Sequence, residues 1–85
     1  MDLKIRYLGL KAMLIKAREK YCSKCMYEDF CWGEHGFYED HILSVCENLY
    51  IKVLIRKIIE LKDVEFLLTF EDWEKFNSIL KKVKI

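Results

Sequence analysis

Proline is absent from this 85-residue chain, and glycine occurs only at Gly9, Gly33 and Gly36. With so few breakers, long helices are permitted, and the break signals concentrate between Cys31 and Gly36. Glutamine is absent and alanine scarce, while Ile, Lys and Glu are abundant, a usage that suits an AT-rich or thermophilic genome. No window approaches the roughly 18 apolar residues that span a bilayer. The start, Met1-Asp2-Leu3-Lys4, lacks the uninterrupted apolar stretch of a signal peptide. A cytoplasmic protein is therefore expected. Internal repeats and low-complexity segments are also missing.

What is present argues for a folded domain. Apolar residues make up 53% of the chain and aromatics 14%, which excludes intrinsic disorder even though 34% of residues are charged. A chain this short forms one domain, near the size at which a hydrophobic core alone is marginal and a metal or disulfide staple adds needed stability.

All four cysteines, Cys22, Cys25, Cys31 and Cys46, fall within 25 consecutive residues. The two-residue gap lets Cys22 and Cys25 aim their sulfurs the same way across one turn, and Cys31 and Cys46 complete a tetrahedral shell for a soft metal. In a reducing cytosol such thiols are more often metal ligands than disulfides, hyperthermophile proteins being the exception. The expected cofactor is Zn2+, held by four thiolates or by three with His35 or His41 as a substitute ligand. Met26 stands where a zinc knuckle usually has glycine, so the site is expected to be a helical one. In it Cys22 and Cys25 come from the end of the first helix, Cys31 from the loop and Cys46 from the second helix.

The run Cys22, Cys25, Cys31, with Tyr27 two residues after the second cysteine, resembles the cluster-binding segment of the iron-sulfur nucleases of bacterial helicase-nuclease complexes and CRISPR adaptation modules. The same triplet spacing is similar to that of the WhiB-like regulators. The likeness spans about ten residues; those families carry the fourth cysteine upstream, whereas Cys46 lies downstream. What the resemblance implies is a [4Fe-4S] cluster on four thiolates as the alternative cofactor. It carries over no nuclease residue.

Helical periodicity accounts for most of the remainder. Residues 3–24 read as a helix with Leu3, Tyr7, Leu10, Leu14, Ala17 and Tyr21 on a core-facing stripe. A second set, Ile5, Leu8, Ala12 and Ile15, falls on nearly the opposite side. Either a three-helix bundle covers this helix twice or the second stripe awaits a partner or a second copy. Residues 26–37 read as an irregular connection. Residues 38–62 read as one helix with Ile42, Val45, Cys46, Leu49 and Val53 inward; beyond Leu49 it is apolar nearly all round and predicted to be the central core helix. Val64 to Leu68 fits a helical turn or an extended piece equally. Thr69 followed by Glu71 and Asp72 marks an N-cap, and a last helix follows with Phe70, Trp73, Phe76, Leu80 and Val83 on one face.

Charge is segregated although the net is only +1. Residues 1–25 carry seven basic side chains against Asp2 and Glu19, and residues 26–50 carry six acids and no Lys or Arg. Lys4, Lys11 and Arg18 repeat every seven residues along one side of the first helix, the arrangement a phosphate backbone would read. The same side chains suit a solvated face or pairing with the acidic segment. Trp32, Phe37, Tyr38, Phe30 and Tyr27 crowd the cysteines, where aromatics either seal a site or, exposed, anchor a protein partner. His35 and His41 sit among acids without a nucleophile and orienting group, so no catalytic template is met.

The sequence thus predicts an all-α, single three-helix domain over residues 1–85, pinned by a cysteine-bound metal in a loop at about 22–46. The expected function is non-enzymatic: an adaptor, regulator or inhibitor, host regulatory or viral counter-defence, that binds a protein through Trp32, Phe37 and Tyr38 or through Ile5, Leu8, Ala12 and Ile15. The alternative is a nucleic-acid-binding regulator using Lys4, Lys11 and Arg18, with a redox-responsive iron-sulfur cluster. A homodimer is compatible with either.

Overall fold

The computed structural model describes residues 2–34 and 36–83, which are mostly helical. The first helix, α1 (Leu3–Ala17), starts where the Asp2 carboxylate accepts the Lys4 backbone N–H at 2.9 Å. It runs into a π-helical turn over Arg18–Cys22. The loop region then forms a short helix, α2 (Glu28–Cys31), and two paired strand fragments, β1 (Trp32–Gly33) and β2 (Gly36–Phe37). Next come α3 (Glu39–Val45) and α4 (Leu49–Glu60), a 3-10 turn over Lys62–Leu67, and α5 (Phe70–Lys82).

The central element is α1, not the helix beginning near residue 38. Tyr7, Leu10, Leu14 and Ala17 are buried on one stripe, Leu8 and Ala12 on the other, because α1 packs against both α4 and α5. Leu8 and Ala12, predicted as partner-binding residues, are therefore inside the fold. Of the same set Ile15 is half-buried and Ile5 exposed. Burial pushes the Tyr7 phenol up to about 12, and the nearby carboxylates of Glu65 and Glu39 add to the shift.

The predicted helix over 38–62 is two helices. The Asn48 side chain accepts the Ile51 backbone N–H at 3.1 Å and so restarts the helix, while Cys46 has already left helical geometry with ψ 129°. A side-chain oxygen that satisfies an orphan N–H makes such a break cheap. α4 is also less buried than expected: Ile51, Leu54, Ile55 and Ile58 are covered, but Leu49, Val53 and Ile59 face outward.

The two short strands pair antiparallel, Trp32 opposite Phe37 and Gly33 opposite Gly36. Gly36 has φ +126°, a conformation L side chains rarely adopt. At Gly33 a β-carbon would collide with the Tyr38 phenol. Gly36 is thus required by its backbone, whereas a side chain at position 33 asks the exposed Tyr38 ring to turn aside.

The segment 64–68, ambiguous in sequence, belongs mostly to the 3-10 turn. α5 starts at the expected cap: Thr69 Oγ1 accepts the Asp72 backbone N–H at 3.3 Å, and the Asp72 carboxylate accepts the Thr69 N–H at 2.9 Å. Hydrogen bonds from the Thr69 backbone, and further from its hydroxyl and from Lys4, hold the Asp72 carboxyl below its ordinary range. A depressed carboxyl stabilises the fold above its unfolded pKa and ceases to do so as pH falls through the folded value. Thr69→Ala is expected to cost about 1 kcal/mol in urea denaturation at neutral pH. Asp72→Asn should flatten the decline in stability below about pH 4, and an unchanged acid limb would remove Asp72 from that role.

Candidate metal centre

Four separate local structures bring the cysteines together. At the first, the π turn changes the register of α1. A turn closed by i→i+5 bonds holds more residues than an α-helical one, so residue 22 moves toward the face of residue 17, five positions earlier. Cys22 is buried as a result and Tyr21 is 40% exposed, the reverse of an uninterrupted 3.6-residue stripe. At the second, the chain bends at Ser23–Lys24, and Cys25 N–H donates to the Cys22 carbonyl at 3.0 Å. The Tyr27 backbone N–H then donates to Cys25 Sγ at 3.4 Å. This contact arises here without a glycine at position 26.

At the third, Cys31 ends α2, its N–H bonded to the Tyr27 carbonyl at 2.9 Å and its carbonyl accepting from Tyr38 N–H at 2.8 Å. At the fourth, Cys46 caps α3 and lies 3.8 Å from the Asn48 carbonyl oxygen. The expected origin of Cys46 on a helix is thus corrected: it sits in the break that Asn48 makes.

All four side chains line one cavity of about 20 Å³, closed by Trp32, Ile42 and Ile51. Cys22, Cys25 and Cys46 also border an adjoining open cleft of about 620 Å³. The site has a sealed side at Cys31 and Trp32 and an open side at Cys25 and Cys46. All four cysteines are free thiols, not disulfides. As they stand, no three His, Cys, Asp or Glu side chains among the described residues are grouped tightly enough to hold a metal ion.

Electrostatics within the cavity oppose four bare thiolates. Burial pushes the Cys22 thiol up; a hydrogen bond from Trp32 works against this, and the charges of Cys46, Cys25 and Cys31 add to it. Burial likewise raises Cys31, followed by the charges of Cys25 and Cys46. A divalent cation reverses the sign of both effects, because it solvates buried thiolates and turns their mutual repulsion into shared attraction.

The histidines do not join this set. His41 does not border the cavity; its Nδ1–H donates to the Phe30 carbonyl at 2.8 Å and its ring stacks on Phe30 at 4.1 Å. His35, the other substitute ligand, lies outside the described residues.

The aromatic loop divides differently from the sequence expectation. Trp32 is buried, edge-on to Phe37 at 5.7 Å and covered by the Arg18 guanidinium at 4.7 Å; Phe37 is half-buried. Of the aromatic group around the cysteines Tyr27, Phe30 and Tyr38 are exposed, and Met26, which was not part of it, is exposed with them.

The basic line is spent within the fold. Lys4 pairs with Asp72 at 3.4 Å, Lys11 with Glu65 at 3.8 Å and Arg18 with Glu28 at 3.7 Å. Lys11 also lies over the Trp73 ring at 5.1 Å. The seven-residue repeat thus joins α1 to α5 and to the 3-10 turn, and the π turn that follows α1 to α2. Among the described residues no helix is long and apolar enough to cross a membrane.

Comparison of the chain with protein-family models, with curated proteins and with solved structures finds no match.

Proposed function

We propose that this chain is a small helical interaction domain whose loop region is pinned by one zinc ion on Cys22, Cys25, Cys31 and Cys46, acting without catalysis as an adaptor, regulator or inhibitor of a protein partner. The observation that carries the reading is that all four thiols, from four different local structures, line a single small apolar cavity. Thiolates in a tetrahedral set are the ligands of closed structural zinc sites. The Tyr27 N–H bond to Cys25 adds an outer contact that orients a ligand.

Two features favour a protein partner over nucleic acid. Lys4, Lys11 and Arg18 already have acidic partners in the fold. Met26, Tyr27, Phe30 and Tyr38 form an exposed apolar and aromatic collar on the cysteine loop, the residue types that supply interface hot spots.

Metal analysis of anaerobically purified protein, with its visible spectrum, tests the pin. One zinc per chain and no colour is the expected result. A brown protein containing iron and sulfide would replace zinc by a cluster. Neither metal, after attempted reconstitution, would sink the reading.

A further inference from the structure

Cys25 stands apart from the other three thiols by its exposure. Cys22 and Cys31 are buried and Cys46 is half-covered, whereas Cys25 is open to solvent. It borders both the cysteine cavity and the broad cleft beside it, and Ser23, Lys24 and Met26 around it are exposed as well. A small reagent therefore reaches this sulfur before it reaches the others.

The turn that carries Cys25 also presents a second thiol. Cys25 N–H donates to the Cys22 carbonyl at 3.0 Å, closing a turn over Ser23 and Lys24. A turn of this kind holds its first and last Cα atoms within about 7 Å. Disulfides usually join Cα atoms about 4.4–6.8 Å apart, so Cys22 and Cys25 can be bridged with little movement of the backbone. Cys22 borders the same cavity and the same cleft. Cys31 borders the cavity but not the cleft, and Cys46 belongs to the break after α3; no single turn joins either of them to Cys25.

We infer that Cys25 is an oxidation site with Cys22 as its resolving thiol, so that a hydroperoxide converts the pair to a disulfide and expels the zinc. Metal ligation holds both sulfurs as thiolates, the form that attacks a peroxide, and exposure decides which reacts first. The Cys25 thiolate attacks one peroxide oxygen, giving a sulfenic acid and releasing hydroxide from the broken O–O bond. The Cys22 thiolate then attacks the Cys25 sulfur and displaces a second hydroxide. The sulfurs lose a pair of electrons to the peroxide oxygens, and solvent protons turn both hydroxides into water. Zinc is left with Cys31 and Cys46, half of a closed tetrahedral set, and departs. The expulsion rests on the zinc reading and adds its regulation: Met26, Tyr27 and Phe30 lose the tie that places them, and the proposed interaction surface is switched off.

Hydrogen peroxide added to the full chain, purified anaerobically and with its zinc counted beforehand, tests this. A chromogenic chelator follows the zinc. Trypsin with a glutamate-specific protease cuts after Lys24, Glu28, Glu34, Glu39 and Glu47, which puts each cysteine on its own fragment for mass spectrometry. The expected result is one zinc released per Cys22–Cys25 disulfide, with zinc taken up again after dithiothreitol. With peroxide limiting, a sulfenic-acid trap should mark Cys25 first. A zinc-loaded chain that keeps its ion under peroxide, or that bridges Cys22 or Cys25 to Cys31 or Cys46 instead, overturns the inference and leaves the zinc pin standing. Trapping first at any other cysteine overturns the role given to Cys25. A chain found without zinc before peroxide is added overturns the pin, and the expulsion with it.

Discussion

With the proposed zinc in place, stripping it with a chelator is expected to lower the melting temperature of the folded chain by about 12–24 °C, the equivalent of about 3 kcal/mol in a domain of this size. A chain of 85 residues has a total stability of about 4–13 kcal/mol. The contacts of α1 with α4, through Leu14, Ile55 and Ile58, need no metal and should survive. What the proposed ion would supply is closure of the segment from Cys22 to Cys46, whose α2 and β hairpin are too short to stand alone. Ion binding is then folding free energy for that segment. Cys46→Ser should lose the metal and show the melting point of the stripped wild type, because serine keeps the size and removes the soft ligand. Circular dichroism melts of wild type and variant, each with and without chelator, give the comparison. A variant that retains the metal and the wild-type melting point would take Cys46 out of the ligand set.

The second large effect is expected at Trp32. Trp32→Ala should cost about 3–5 kcal/mol, the range for truncating a buried aromatic. The indole is buried between Arg18 and Phe37 and closes the inner wall of the cysteine cavity. Its removal opens the sealed side, so the stripped protein should also react faster with a thiol reagent at Cys22 and Cys31. Trp32→Phe separates the contributions: it restores most of the packing but not the hydrogen bond that lowers the Cys22 thiol. Urea denaturation and thiol-labelling rates measure the two parts. A loss under about 1 kcal/mol for the alanine variant would mean that the wall is supported by other residues.

How far the site was legible in the sequence depends on the range of the signal. The grouping of four cysteines was visible from spacing, and so were the Thr69 cap and the glycine-bounded break after Cys31. The split at Asn48 carried a readable signal, an asparagine before a helical run, but the continuous apolar pattern from Ile42 to Leu61 obscured it. The π turn had no such signal. The stripe pointed to Tyr21, and only the packing of the helix end against Trp32 and Ile42 favours Cys22. The fates of Trp32, Leu8 and Ala12 were likewise hidden, since an apolar side chain reads the same whether its own chain or a partner covers it.

By itself the sequence determined the all-helical class, the cap of α5, and the cysteines as a group, because caps, periodicity and short ligand spacings act over a few residues. The tertiary structure decided which helix is central, which aromatics remain exposed, and that Lys4, Lys11 and Arg18 pair with α5, the 3-10 turn and α2. Those outcomes depend on contacts between residues far apart in the chain, whose net energies are small differences between burial, pairing and desolvation, and only the assembled core sets their balance.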